Sequence, residues 1–336
     1  MPDVAPVALD AYGADGGPEL VLEGARLAAG DGIPIRIFGP RSLEVAGNVE
    51  LEATTEWIGN EAEPVAAVRS TPDASIVRAA AAVADGTCSS LVSAGSTGAT
   101  MTAALFALKR ARGVHRPALA VQIPVPGREG APLVFLDCGA NTDVRPQHLI
   151  QFAFLGSAFS AAVLDVESPR VALLSVGEEQ KKGRLDVVEA NEALSGVSGI
   201  RFIGNLEGRD LLTGEADVVV TDGFTGNVTL KTLEGTAKGV ADAVRDAAHS
   251  NPAAALGGLL LRPALGGLRR TMDPNGVGGA ILLGLRGVAV VAHGSSNPDG
   301  IANAVRLAHR AVTERAVERT GELLATSGAT RDALRA

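Results

Sequence analysis

At 336 residues and 34.0 kDa the chain is long enough to bury a core without disulfides or metal, and its 46% hydrophobic content, mean hydropathy of +0.21 and 20% charged content exclude disorder. Thirty basic against 38 acidic residues leave a net charge of −8 and an isoelectric point near 5.3, the opposite of a nucleic-acid binder's footprint, so no nucleic-acid partner is expected. Aromatics at 3% leave Val, Leu, Ala and Ile to fill the core and argue against a sugar- or base-stacking surface.

In chain order, Val/Ile/Leu-rich runs ending in Gly or Asp fall at Val4–Asp10, Ile33–Gly39, Ser90–Gly95, Leu133–Gly139, Val171–Gly177, Ala216–Asp222 and Val288–Gly294. Such runs, alternating with amphipathic stretches, read as strands buried on both faces and predict a doubly wound α/β sandwich. Ligands of such sheets bind beyond the carboxyl ends of the strands, which places the chemistry in the loops after the runs. From Thr229 onward, Leu230, Leu233, Ala237, Val240, Val244 and Ala247 recur every three or four residues and predict a helix, as does Ile301–Leu324. Within Ala253–Arg270, Leu256, Leu259 and Leu260 share a helical face with Arg262 and Arg269 opposite, and Pro263 predicts a break into two short arms. With no repeat and no low-complexity linker, the chain is read as one domain over residues 1–336, with a helical hairpin protruding at about 229–275. Residues 327–336 read as a frayed end after a stop at Gly328.

Cys88 and Cys138 lie in apolar stretches without CxxC spacing, so neither a disulfide framework nor a zinc site is indicated and a reducing compartment is expected. The opening Met1-Pro2-Asp3 lacks the basic-then-apolar order of a signal peptide. The apolar run Ala253–Leu261 falls far short of the ~20 residues that span a bilayer.

Four loops carry candidate chemistry. Ser93-Ala94-Gly95-Ser96-Thr97-Gly98-Ala99 joins a strand to a helix; its glycines and free N–H groups suit a phosphate, and equally a plain turn capped by Ser96 or Thr97. The Lys of a Walker loop is missing and no GxGxxG follows a strand, so ATP and NAD lose support. Asp222-Gly223-Phe224-Thr225-Gly226-Asn227 can orient an oxyanion or phosphate, or simply turn and cap a helix. Gly177-Glu178-Glu179-Gln180-Lys181-Lys182-Gly183 offers carboxylates and cations, or solvated surface. His293-Gly294-Ser295-Ser296 has the makings of an anion nest. Asp10, Asp15, Asp137, Asn141 and Asp143 stand at further strand tips as turn formers, and no metal is assigned.

In order along the chain come Ala8-Leu9-Asp10-Ala11 with Asp15-Gly16-Gly17-Pro18-Glu19, Val92-Ser93-Ala94-Gly95 with Thr97-Gly98-Ala99, and Arg116-Pro117-Ala118-Leu119. Asp137 with Gly139-Ala140-Asn141, Gly177-Glu178-Glu179 with Lys182-Gly183, and Gly204-Asn205 with Glu207-Gly208-Arg209-Asp210 follow. The series ends with Ala216–Val220, Asp222-Gly223-Phe224, Gly226-Asn227-Val228, Lys231–Gly235, Gly278-Gly279-Ala280 and His293-Gly294-Ser295-Ser296. Over some 290 residues this succession closely resembles the bacterial phosphate acyltransferase (PlsX) family of phospholipid synthesis. The chain departs from the family at Ala14, Ser96, Ser175 and Val277, where Gly, Asn, Asn and Tyr are commoner.

The resemblance implies an α/β/α sandwich with a largely parallel Rossmann-like sheet, similar to phosphotransacetylase and the isocitrate dehydrogenase class. It implies a homodimer that transfers a long-chain fatty acyl group from acyl carrier protein to inorganic phosphate, without cofactor, feeding a membrane-bound glycerol-3-phosphate acyltransferase. The expected catalytic residues are Lys182, Asn227 and His293. Phosphate or substrate would be held by Gly95, Ser96, Thr97, Gly98, Asp10, Asn141, Asp222, Gly226 and Ser295. Leu256, Leu259 and Leu260 are expected to touch the inner face of the cell membrane from the cytoplasm, an interface between subunits being the other reading of that segment. The alternatives are a phosphotransacetylase acting on acyl-coenzyme A and a non-catalytic peripheral membrane recruiter. An acidic carrier would dock on Lys109, Arg110, Arg112 and Arg116, or on Arg262, Arg269 and Arg270.

Overall fold

A computed structural model of the chain describes residues 4–127, 131–271 and 274–335, with the side chains of 262–271, 274, 275 and 335 outside the description. The first half runs β1 (Val7–Asp10), α1 (Gly17–Gly30), β2 (Ile35–Gly39), β3 (Val49–Ala53), α2 (Pro64–Ser70), α3 (Ser75–Ala84), β4 (Ser90–Ser93) and α4 (Thr97–Leu108). The middle runs β5 (Ala118–Ile123), β6 (Leu133–Leu136), α5 (Pro146–Val163), β7 (Arg170–Ser175), α6 (Leu185–Ser195), β8 (Arg201–Glu207) and β9 (Val218–Val220). It closes with α7 (Gly223–His249), α8 (Pro252–Thr271), β10 (Ala280–Leu283), β11 (Val288–Val291), α9 (Pro298–Thr313) and α10 (Ala316–Thr326).

All strands join one sheet in the order β3-β2-β1-β4-β11-β10-β5-β6-β9-β7-β8. Pairs within β3-β2-β1-β4-β11 and within β6-β9-β7-β8 are parallel, whereas β10 and β5 pair antiparallel with each other and with their outer neighbours. This confirms the expected α/β architecture with helices over a mostly parallel sheet. Each of the seven anticipated runs contains a strand. The four strands that were not anticipated have physical reasons. β3 and β8 are the two sheet edges; VELEA alternates apolar with polar residues and RFIGNLE mixes them, so neither runs apolar. β10 is only four residues long, and β5 carries Gln122 inside its apolar run.

Below the sheet α5 is buried almost all round, with Phe152, Phe154 and Phe159 fully enclosed beside Leu149 and Leu155. Their burial stabilises the fold by roughly 2 kcal/mol per side chain before entropy is counted. Ile301–Leu324 is two helices rather than one, broken at Arg315, whose φ of 54° ends the run. The tail is not frayed through Arg331. Ala329 is buried and its carbonyl accepts from Gln151 Nε2 (2.9 Å), while Arg331 N donates to the Gly113 carbonyl (2.6 Å).

Two halves of opposite direction send the carboxyl ends of β1, β4 and β11 to one end of the sheet's strands and those of β6, β7 and β9 to the other. The loops after β1, β4 and β11 make one wall of polar groups and those after β6, β7 and β9 a second.

α7 and α8 pack as a hairpin that turns at Ser250-Asn251, with only Gly223 and Gly226 of α7 buried. The anticipated break at Pro263 is absent: backbone helix continues through it to Thr271. Proline removes the bond to the Leu259 carbonyl, and Leu259 is exposed, so water can take the freed acceptor. No helix among the described residues is long and apolar enough to cross a membrane.

Candidate functional site

On the first wall, Asp10 ends β1 and is buried. It accepts from Ser75 Oγ (2.6 Å), Ser93 Oγ (2.8 Å) and Tyr12 N (3.2 Å), so its carboxyl clamps β1, α3 and β4 together. It is therefore a structural tie here, with its oxygens already met by protein donors. Burial pushes its carboxyl up to about 6, against those hydrogen bonds. The protonated form thus contributes stability that is complete below pH ~4 and lost as pH rises through about 6, worth ~3 kcal/mol across that window. In urea melts, Asp10→Asn is expected to gain about that much relative to the parent between pH 4 and pH 7.5. A gap that is flat with pH would disprove the assignment.

Gly13, at φ +91°, packs on Gly95, whose Cα a side chain on Gly13 would meet at 2.4 Å; a Cβ at Gly98 would meet Pro64 Cγ at 2.7 Å. Gly98 therefore serves α2–α4 packing rather than anion approach. Ser96 caps α4, accepting weakly from Ala99 N (3.4 Å), and Thr97 stands exposed beside it. His293 and Ser295 are exposed after β11. Ser295 N donates to His293 Nδ1 (3.2 Å) and the Ser295 hydroxyl lies 2.8 Å away, which leaves the neutral ring's proton on Nε2.

The second wall is tighter. Asp137, wholly buried after β6, accepts on Oδ1 from Leu119 N and Ala140 N (both 3.0 Å), and on Oδ2 from Asn141 N (2.7 Å) and Asn141 Nδ2 (2.8 Å). Burial raises its carboxyl above the ordinary range in spite of these donors. Asn141 Nδ2 also donates to the Pro117 carbonyl (2.8 Å), so both its amide hydrogens are engaged. The Asn141 carbonyl receives Gly223 N (2.7 Å) and thereby joins this network to α7. Gly226 is glycine because a Cβ there would overlap the Asp137 carbonyl oxygen.

Asp222 caps α7, accepting from Thr225 N (2.8 Å) and Thr225 Oγ1 (2.7 Å), and pairs with Arg184 Nη1 (3.2 Å). Its role is to hold the helix start. Arg184, which the motifs did not single out, ties the loop after β7 to the loop after β9; the only sequence signal was its place two residues beyond Lys182. That loop is pinned by Ser175 Oγ donating to the Lys182 carbonyl (2.9 Å) and Asn205 Nδ2 to the Glu179 carbonyl (2.9 Å). Ser175, noted only as a departure from the family, thus acts as a loop anchor.

What remains free is chemically specific. Lys182 and Asn227 are both exposed, on tips of strands β7 and β9 that are hydrogen-bonded neighbours, about 4.8 Å apart in the sheet. Among the described residues the Lys182 ammonium has no carboxylate partner and the Asn227 amide no hydrogen bond. Asn227 sits in the first turn of α7, where the helix dipole adds positive potential. Two free donors and a helix start suit a developing oxyanion or a phosphate. His293, grouped with them by motif, stands on the first wall, after β11, and no described hydrogen bond joins the two walls.

Burial raises both thiols, that of Cys88 to about 11, so neither is poised as a nucleophile. Among the described residues no group of three or more His, Cys, Asp or Glu side chains gathers to hold a metal ion.

The architecture is that of a phosphotransacetylase from Streptococcus pyogenes (TM-score 0.61, 20% identity, covering 92% of this chain and 94% of that one). A 4-hydroxythreonine-4-phosphate dehydrogenase from Klebsiella pneumoniae shares it more distantly (TM-score 0.51, 14% identity, 92% and 99% covered). These define the fold class shared by phosphotransacetylases and such dehydrogenases. Residues 5–319 match the family described as "Fatty acid synthesis protein". A phosphate acyltransferase of Lactococcus lactis is 43% identical over 316 residues, 90% of this chain and 94% of that protein. The chain belongs to the phosphate acyltransferase family and is an acyltransferase.

Proposed function

We propose that the protein transfers a long-chain fatty acyl group from acyl carrier protein to inorganic phosphate, releasing acyl phosphate for phospholipid synthesis. The observation that carries this reading is the pair of unengaged donors, Lys182 and Asn227, on adjoining strand tips in a member of this family. A thioester is already activated, so holding phosphate against its carbonyl supplies ~7–11 kcal/mol of the barrier by positioning alone. A phosphate oxygen attacks the carbonyl carbon, the oxyanion is met by Lys182 and Asn227, and the C–S bond breaks to release the carrier thiol. No protein nucleophile is needed. His293 and Ser295 after β11, with Ser96 and Thr97 after β4, are assigned to phosphate or substrate binding. The test supplies palmitoyl-carrier protein or palmitoyl-coenzyme A with phosphate: acyl phosphate from the carrier thioester at the higher kcat/KM supports the reading. Preference for coenzyme A would make the protein a phosphotransacetylase, and no product from either would leave a recruiter.

The same reading has a homodimer working at the cytoplasmic face of the membrane, where a membrane-bound glycerol-3-phosphate acyltransferase takes the product. Its support is the hairpin, where Leu256, Leu259, Leu260 and Leu261 are 58–74% exposed. The arginines anticipated opposite them, Arg262 and Arg269, lie outside the described side chains, as does Arg270 of the second candidate docking cluster. Leu259→Glu with Leu260→Glu is expected to release the protein from anionic vesicles in flotation while its mass in solution stays unchanged. Vesicle binding intact with a halved mass would make the segment a subunit interface instead.

A further inference from the structure

We propose that Lys109, Arg110, Arg112, Arg116, Arg145 and Arg286 form one docking surface for an acidic protein that presents the acyl thioester, an inference that rests on the acyl-transfer reading above. All six side chains are exposed, and among the described residues none pairs with a carboxylate. Several other arginines are neutralised, as Arg36 by Glu50, Arg306 by Asp31 and Arg310 by Asp165, and the exposed arginines without a carboxylate partner elsewhere, such as Arg41 and Arg201, do not belong to this hydrogen-bonded group of cations. The cations are contiguous. Arg286 donates from N to the Lys109 carbonyl and from Nε to the Arg110 carbonyl (both 3.1 Å), and the Arg110 guanidinium donates to the His115 carbonyl. Arg116 Nη1 donates to the Asp143 carbonyl (3.1 Å), and the Asp143 carboxylate pairs with none of the six. Arg116 and Arg145 both face His148, whose ring, lowered mainly by burial and further by these cations, falls to about 4.

The patch also runs into the site. Pro117, next to Arg116, accepts from Asn141, and Asn141 accepts from Gly223 at the start of the helix that carries Asn227. In a chain of net charge −8, an acidic partner is repelled by most of the surface and is steered to this unneutralised rim, which delivers a tethered thioester beside the free donors.

The test measures steady-state turnover over a salt series for Lys109→Glu/Arg112→Glu and, separately, Arg116→Gln/Arg145→Gln, with Arg41→Glu as a control on a distant loop. Acyl-carrier protein is compared with the same acyl chain on pantetheine, which has no protein surface. The KM for the carrier is expected to rise about tenfold in the reversal pair and less in the neutral pair, with a flatter salt dependence. Turnover at saturation, the KM for phosphate and the KM for acyl-pantetheine should stay within about twofold. An unchanged carrier KM in both pairs, an equal rise in Arg41→Glu, or an equal rise with acyl-pantetheine would overturn the dock while leaving the acyl-transfer reading intact. If the unmodified protein turns over no carrier thioester, the reading fails and the dock with it.

Discussion

Lys182→Ala and Asn227→Ala are each expected to lower acyl transfer to phosphate by about 100- to 1,000-fold, with thermal midpoints close to the parent's, because removal of one oxyanion donor costs that much in rate. Both side chains are exposed and neither holds a described partner, so truncation leaves no buried group orphaned. The surrounding loops keep their own anchors. Ser175 and Asn205 still hold the segment that contains Lys182, and Asp222 still caps the helix that contains Asn227. Asn227→Asp is a useful companion: it preserves shape and replaces a donor by a charge that repels phosphate, so it should be no better than alanine. Near-normal turnover in both alanine variants would remove these residues from the reaction.

Asp137→Ala is expected to act in the opposite manner, on the fold rather than on the rate alone. Four donors, the backbone N–H groups of Leu119, Ala140 and Asn141 and the Asn141 amide, converge on this wholly buried carboxyl. Each left unmet costs about 1–3 kcal/mol, so the substitution should cost at least ~4 kcal/mol. The urea midpoint and the soluble yield should both fall steeply. Asp137→Asn retains one acceptor oxygen and should fall between parent and alanine. Gly226→Ala should resemble Asp137→Ala, because it forces a methyl group into the Asp137 carbonyl. If Asp137→Ala unfolds at the parent's midpoint, the network does not hold this wall.

The contrast between these predictions shows what a sequence displays and what it hides. Buried parallel strands such as Val171–Leu174 announce themselves because both faces need apolar residues. Edge strand β8 does not, since Arg201, Ile203 and Asn205 alternate outward and the register slips between Val171 and Ala172 opposite it. The motif loops were visible as glycines, acids and amides at strand ends, but motif order could not separate polar groups that are free from those already engaged. Asp10, Asn141 and Asp222 look alike in sequence to Asn227, yet their side chains hold strands and helix starts together. Arg184 escaped notice because its partner Asp222 is 38 residues away. Direction was also hidden: the antiparallel β5 and β10, across which the strand direction reverses between the two halves, have the composition of any buried strand.

The most direct test of the account is a single turnover with the protein in excess over palmitoyl-carrier protein, quenched with and without phosphate and read by intact mass and by separation of acyl phosphate. Direct displacement predicts no acyl adduct on the protein in either condition, and acyl phosphate in the first turnover only when phosphate is present. An acylated protein formed without phosphate, and discharged when phosphate is added, would contradict it.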